Sequence, residues 1–170
     1  DLPRDPWGRD YEIDWLKGQV RSLGPDHNLE RDNITVDYKP PLTLQKATWV
    51  DTDNNRQISA KDFLRLEFSR FLSASAPTAI TYGNSSDSAH PLWFSQDVNV
   101  NYLVATDVPA TLTKELLIEF ALNASDTTLN FGSSTVGVGL NNQSIKDHSG
   151  RKACGTQGEY PAVEVIIKAN

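Results

Sequence analysis

From Leu42 onward, apolar and polar positions alternate with a period of two. Leu64, Leu66 and Phe68 alternate with Arg65 and Glu67, and Val98, Val100, Tyr102 and Val104 alternate with Asn99 and Asn101. Leu116, Ile118 and Phe120 oppose Glu115 and Glu119. Val136, Val138 and Leu140 oppose Gly137 and Gly139, and Val163, Val165 and Ile167 oppose Glu164 and Lys168. Successive side chains of a strand point to opposite faces, so this spacing predicts half-buried antiparallel strands. Connections rich in Gly, Asn, Ser and Asp separate them at 83–88, 123–128, 141–143 and 147–150. Eight or nine short strands of this kind predict an all-β fold, an antiparallel β-sandwich spanning residues 40–170.

The first 39 residues read differently. Trp7, Tyr11, Trp15, Leu16, Val20 and Leu23 recur at spacings of three and four, and Gly24-Pro25 follows, which predicts a short amphipathic helix from about Asp10 to Leu23. Residues 33–38 alternate Ile34, Val36 and Tyr38 on one face, and Lys39-Pro40-Pro41 then ends the strand. Residues 1–39 are therefore expected to form a charged N-terminal arm with one helix and one strand. Fifteen charged side chains lie in residues 1–41, against fourteen in the whole stretch from Ser73 to the end.

Charge and composition remove several classes of function. The 22 acidic and 16 basic residues give a net charge of −6. Nucleic-acid binding draws most of its affinity from neutralising phosphates, so a nucleic-acid partner is not expected. No apolar run approaches the roughly 20 residues of a membrane-spanning helix. With 38% apolar residues the chain can build one core of its own. It contains no Met and starts at Asp1, as expected of a mature extracellular or cell-surface chain after removal of a leader. Its single cysteine, Cys154, has no internal disulfide partner and is expected to be a small buried residue.

The segment Asp51-Thr-Asp53-Asn-Asn55-Arg56-Gln57-Ile58-Ser59-Ala-Lys-Asp62 carries the clearest chemistry. Oxygen-bearing side chains of Asp51, Asp53, Asn55, Ser59 and Asp62 stand at positions 1, 3, 5, 9 and 12 of a twelve-residue frame, and Gln57 can add its backbone carbonyl. A hard cation such as Ca²⁺ needs six to eight such oxygens. Three carboxylates crowded on one loop also raise one another's pKa, a cost that a bound dication relieves. An EF-hand-type calcium protein would require Gly at position 6, where Arg56 stands, and a helix on each side, where Pro40-Pro41, Thr43, Thr48, Trp49 and Val50 precede the loop. The other reading places the loop between two strands.

The succession from Pro41 through Trp49-Val-Asp51-Thr-Asp53, then Ile58-Ser59 to Phe68-Ser69, resembles the opening of prokaryotic immunoglobulin-like repeats of surface-layer and adhesin proteins. Ser144-Ile-Lys-Asp147-His-Ser-Gly150 resembles their late turn, so the likeness covers about Pro40 to Lys168. It implies an immunoglobulin-like sandwich, with a jelly roll as the related possibility. It also implies a non-catalytic structural or adhesive module, several relatives of which bind calcium.

Other candidates are less specific. Sequons begin at Asn33, Asn84, Asn123 and Asn142. His27, His90 and His148 show no metal-type spacing, and Glu115 with Glu119 shares a strand face. No phosphate loop, nucleophile elbow or Cys-His arrangement occurs. Trp93, Phe94 and Tyr82 are candidates for a sugar-binding platform, whereas Trp49 sits in a strand and is expected in the core. The chain is thus expected to be a non-enzymatic extracellular structural subunit, a calcium-stabilised sandwich of a surface layer or filament. Its expected partners are copies of itself or other surface-protein subunits, through strand addition by residues 33–38. A carbohydrate-binding or adhesin module is the alternative.

Overall fold

The computed structural model describes residues 3–26, 30–56, 59, 62–73, 79–80, 82–83, 90–96, 103–105, 113–120, 129–139, 144–153 and 164–170. Gln57, Cys154, His27 and the sequon residues Asn84, Asn123 and Asn142 lie outside them, as do Val98, Val100, Tyr102, Leu140 and Val163. The chain forms two compact units, Asp1–Pro40 and Pro41–Asn170.

In the N-terminal unit β1 (Glu12–Asp14), β2 (Gln19–Ser22) and β3 (Ile34–Asp37) form an antiparallel sheet in the order β1-β2-β3. A single 3₁₀ turn, Glu30–Asp32, precedes β3. The helix expected over Asp10–Leu23 is replaced by a hairpin, and Asp14 is the reason. Its Oδ1 accepts the backbone N–H groups of Leu16 at 3.1 Å and Lys17 at 2.9 Å, turning the chain where a helix would need those amides for its own ladder. Gly18 follows in the left-handed region at φ 70°, and its N–H closes the turn on the Asp14 carbonyl at 2.8 Å. The three-and-four spacing also contained the two-residue series Tyr11, Ile13 and Trp15, and the sheet uses that one.

The C-terminal unit is all-β. Its strands are β4 (Leu44–Val50), β5 (Phe63–Phe68), β6 (Ala79–Ile80), β7 (Tyr82–Gly83), β8 (Leu92–Phe94), β9 (Leu103–Ala105), β10 (Glu115–Phe120), β11 (Thr135–Val138) and β12 (Glu164–Ala169). They form one sheet in the order β6-β9-β10-β5-β4-β12-β11-β8-β7. Pairing is antiparallel except for β4 with β12 and β7 with β8.

This order forces the sheet to curl. Laid flat at about 4.8 Å per strand, β6 and β7 would stand about 38 Å apart. Yet Ile80 and Tyr82 are separated by one residue, so their Cα atoms are at most about 7 Å apart. The two ends of the sheet are therefore joined through residues 79–83, and its halves face one another across a common core in a sandwich-like arrangement.

Alternation fills that core as expected. Leu64, Leu66 and Phe68 of β5 meet Leu116, Ile118 and Phe120 of β10, with Leu92, Phe94, Val136, Val138 and Ile167 from the other half, all buried. Each such side chain contributes roughly 1.5–3 kcal/mol of burial free energy. β4 keeps Leu44, Ala47 and Trp49 buried despite their uneven spacing, because the register with β5 shifts between Leu44 and Lys46. That bulge delivers Trp49 to the core at the strand end where the acidic loop begins.

Candidate metal centre

The loop from Asp51 to Asp62 leaves β4 and returns into β5, so it joins two strands and is not the helix–loop–helix of an EF-hand; no α-helix occurs among the described residues. One oxygen each of Asp51, Asp53 and Asp62 lies within 4.8 Å of the others. Two ligand oxygens on opposite sides of a cation bound at about 2.4 Å are separated by about that distance, so this triad can hold a metal ion.

The three carboxylates are not equivalent. Asp62 is completely buried. Its Oδ1 accepts the N–H and the hydroxyl of Thr52, both at 3.0 Å, and its Oδ2 accepts the N–H of Ser59 at 2.9 Å and the indole N–H of Trp49 at 3.3 Å. Four donors converge on its two oxygens. Asp62 is thus the clasp that closes the loop, and its backbone carbonyl also takes the Phe120 N–H at 2.9 Å. Trp49, in turn, stacks on Phe131 with ring centroids 4.0 Å apart, which fixes the indole that donates to Asp62.

Asp51 and Asp53 are the open arms of the site, half-buried and exposed. Asp51 accepts the N–H of Asn55 at 3.2 Å and of Arg56 at 2.8 Å. Desolvation pushes its carboxyl up. The Arg56 N–H, the Asp53 carboxyl and the amides of Asn55 and Asn54 outweigh it, so the group titrates below the ordinary carboxylate value. Asp53 accepts the Asn55 N–H at 3.1 Å, the Asn55 side-chain amide at 2.9 Å and the Ser59 hydroxyl at 3.3 Å. Asn55 and Ser59 therefore surround Asp53 as hydrogen-bond donors.

The backbone makes these bonds by entering the left-handed region at two non-glycine residues, Asn54 at φ 57° and Arg56 at φ 62°. Arg56 keeps at position 6 the conformation in which an EF-hand loop has glycine. A cleft of about 540 Å³ lined by Trp49, Asp51, Asn54, Arg56, Ala169 and Asn170 opens beside the loop.

The remaining candidates are scattered. Phe94 is fully buried and meets Tyr82 edge-on, with centroids 5.7 Å apart. Trp93 lies on the opposite face of the sheet, flat on Gly137, where an added Cβ would come within 2.5 Å of its Nε1. The three aromatics do not form one platform. Glu115 and Glu119, four residues apart on β10, are separated by about 13 Å, beyond the reach of a glycosidase pair, and Glu115 faces Arg65 at 3.8 Å. The Asn33 amide, oriented to suit its neighbours, donates to the Leu23 carbonyl and accepts from Arg21.

Two contributors had no sequence signal. Thr52 has no expected role in the sequence and Trp49 is expected in the core, yet together they supply three of the four bonds to Asp62. A buried ion pair elsewhere in the unit, Arg70 with Asp147 at 3.0 Å, was equally hidden. Comparison of the chain with protein families, with curated proteins and with solved structures finds no match.

Proposed function

We propose that the chain is a non-catalytic extracellular structural protein, a sandwich of immunoglobulin-like or jelly-roll type whose Asp51–Asp62 loop binds Ca²⁺. In this reading it assembles with copies of itself or with other surface-protein subunits into a surface layer or filament. The observation that carries the reading is the convergence of three carboxylates on one strand-to-strand loop. Every side-chain ligand candidate in residues 51–62 is an oxygen donor, with neither His nor Cys among them. That chemistry suits a hard cation and disfavours zinc or copper. The calcium stiffens the β4–β5 connection, a role that fits an extracellular chain with a single cysteine.

Extracellular calcium modules bind at about 10⁻⁴–10⁻³ M. At free Ca²⁺ about ten times the dissociation constant, one site adds about 1.4 kcal/mol by mass action. Thermal melting in millimolar Ca²⁺ should therefore exceed melting in EDTA by several degrees, with Mg²⁺ giving less. Identical midpoints in Ca²⁺ and EDTA would remove the calcium site from the proposal.

A further inference from the structure

The two units leave their β surfaces in different states. In the C-terminal unit the inner face of the sheet is covered by the unit's own core, with Leu64, Leu66, Leu116, Ile118, Val136 and Ile167 all buried. In the N-terminal unit, the register aligns Ile13, Val20 and Val36 across the three strands, with Ile34 on the same face and Tyr38 next in its alternation. Glu12, Gln19, Arg21, Thr35 and Asp37 take the other face. That polar face is internally paired, Arg21 with Glu12 at 3.5 Å and Gln19 with Asp37 at 3.0 Å. The apolar face is bare: Ile13 and Ile34 are each 53% exposed, Val36 59% and Tyr38 48%. A small sheet depends for stability on covering such a face.

We infer that this face packs against the same face of a second copy, forming a two-fold, face-to-face sandwich of N-terminal sheets. The area supports that occupant. At half exposure each of these side chains leaves on the order of 100 Å² to be covered. Trp15, 56% exposed in the turn that follows β1, borders this face. Five such residues give about 500 Å² per copy and about 1,000 Å² per pair, the size a specific interface has to clear. A two-fold axis also sets each Ile13–Val20–Val36 row against its own mate, so one pattern satisfies both partners. Charge argues against an anionic lipid surface, because residues 1–40 hold nine acidic against six basic side chains.

The inference rests on the proposed role as an assembling subunit, but not on the calcium site. Sedimentation velocity on the full chain from 1 to 300 µM, with Ca²⁺ and with EDTA, tests it. A reversible monomer–dimer equilibrium is expected. Val36→Glu and Ile13→Glu should weaken it at least ten-fold, while Thr35→Glu, which puts the same charge on the polar face, should leave it intact. If the glutamates unfold the sheet, Tyr38→Ser is the milder probe, and concentration-dependent amide protection of β1–β3 in the unaltered chain is the second measurement. A monomer at every concentration overturns the inference, as does a dimer indifferent to Val36→Glu and Ile13→Glu. A dimer that survives EDTA alongside calcium-independent melting would remove the calcium reading alone.

Discussion

Asp62 and Asp147 are both buried, at 0% and 1% exposure, and each closes a loop of the C-terminal unit, yet their charges are balanced by different means. Asp147 holds the turn 147–150. Its Oδ1 accepts the N–H and hydroxyl of Ser149 at 2.8 and 2.6 Å and the N–H of Arg151 at 3.0 Å, while its Oδ2 faces Arg70 Nη1 at 3.0 Å. Arg70 is itself only 3% exposed, so a full positive charge is sealed in with the carboxylate. Asp62 takes two neutral donors on each oxygen, four against the three of Asp147, but has no cation of its own among the described residues. The carboxylates of Asp51 and Asp53 each bring an oxygen within 4.8 Å of one of its own. The fold thus carries its counter-ion at one buried aspartate, and at the other it offers dipoles and a surplus of negative charge. Only the second arrangement has a use for a cation from solution.

The same substitution at both positions breaks the comparison open. Asp147→Asn leaves Arg70 buried opposite a neutral amide and should cost about 3–5 kcal/mol, a large part of a domain's total stability. Asp62→Asn strands no cation. It presents an NH₂ to donors such as the Ser59 and Thr52 amides but removes repulsion from Asp51 and Asp53, so its cost should be about 1–3 kcal/mol. Urea titrations of both variants measure the difference, and equal losses would mean that the Arg70 charge is solvated after all.

The strands were legible because burial imposes a strict period: Leu64, Leu66 and Phe68 read correctly in sequence, and so did their partners on β10. The acidic loop was legible because metal-ligand spacing is local, so Asp51, Asp53, Asn55 and Ser59 could be placed within one turn of chain. What joins distant residues was not legible. Nothing local says that Asp62, besides standing at the last ligand position, will take the Trp49 indole N–H, and Arg70 gave no hint of Asp147. The misread helix had a different cause. Three-and-four and two-residue spacings coexist around Tyr11–Trp15, and side-chain bonds from Asp14, which apolar periodicity ignores, decide between them.

A third buried aspartate extends the contrast into the N-terminal unit. Asp5 accepts the Ser22 hydroxyl at 2.7 Å and the N–H groups of Arg9 at 2.8 Å and Trp7 at 3.0 Å. Burial raises its pKa, but these donors and the Arg9 charge outweigh that, so it titrates below the ordinary carboxylate value of 3.8. A depressed folded pKa contributes stability that is fully present above the unfolded value and is lost as pH falls through the folded one. The N-terminal unit should accordingly hold its structure down to about pH 4 and loosen below it. Amide exchange of β2 followed from pH 6 to 2.5 should show that loss, and Asp5→Asn should flatten it. A profile identical in the variant would assign the acid sensitivity to other carboxylates.

The smallest effect sharpens the comparison most directly, because it concerns a basic residue at the centre of the acidic loop. Arg56 occupies φ 62°, a conformation that costs a side-chain-bearing residue about 1–2 kcal/mol. Glycine adopts it freely but gives back part of the gain as unfolded-chain entropy. Arg56→Gly keeps the backbone N–H that donates to Asp51. It should therefore stabilise the calcium-free protein by up to about 1 kcal/mol. It also removes a positive charge from beside three carboxylates, so calcium affinity should rise along with stability. Isothermal titration with Ca²⁺ and a urea midpoint in EDTA separate the two effects. A stabilised variant with unchanged affinity would show that the Arg56 guanidinium stays too well solvated to oppose an ion held by Asp51 and Asp53.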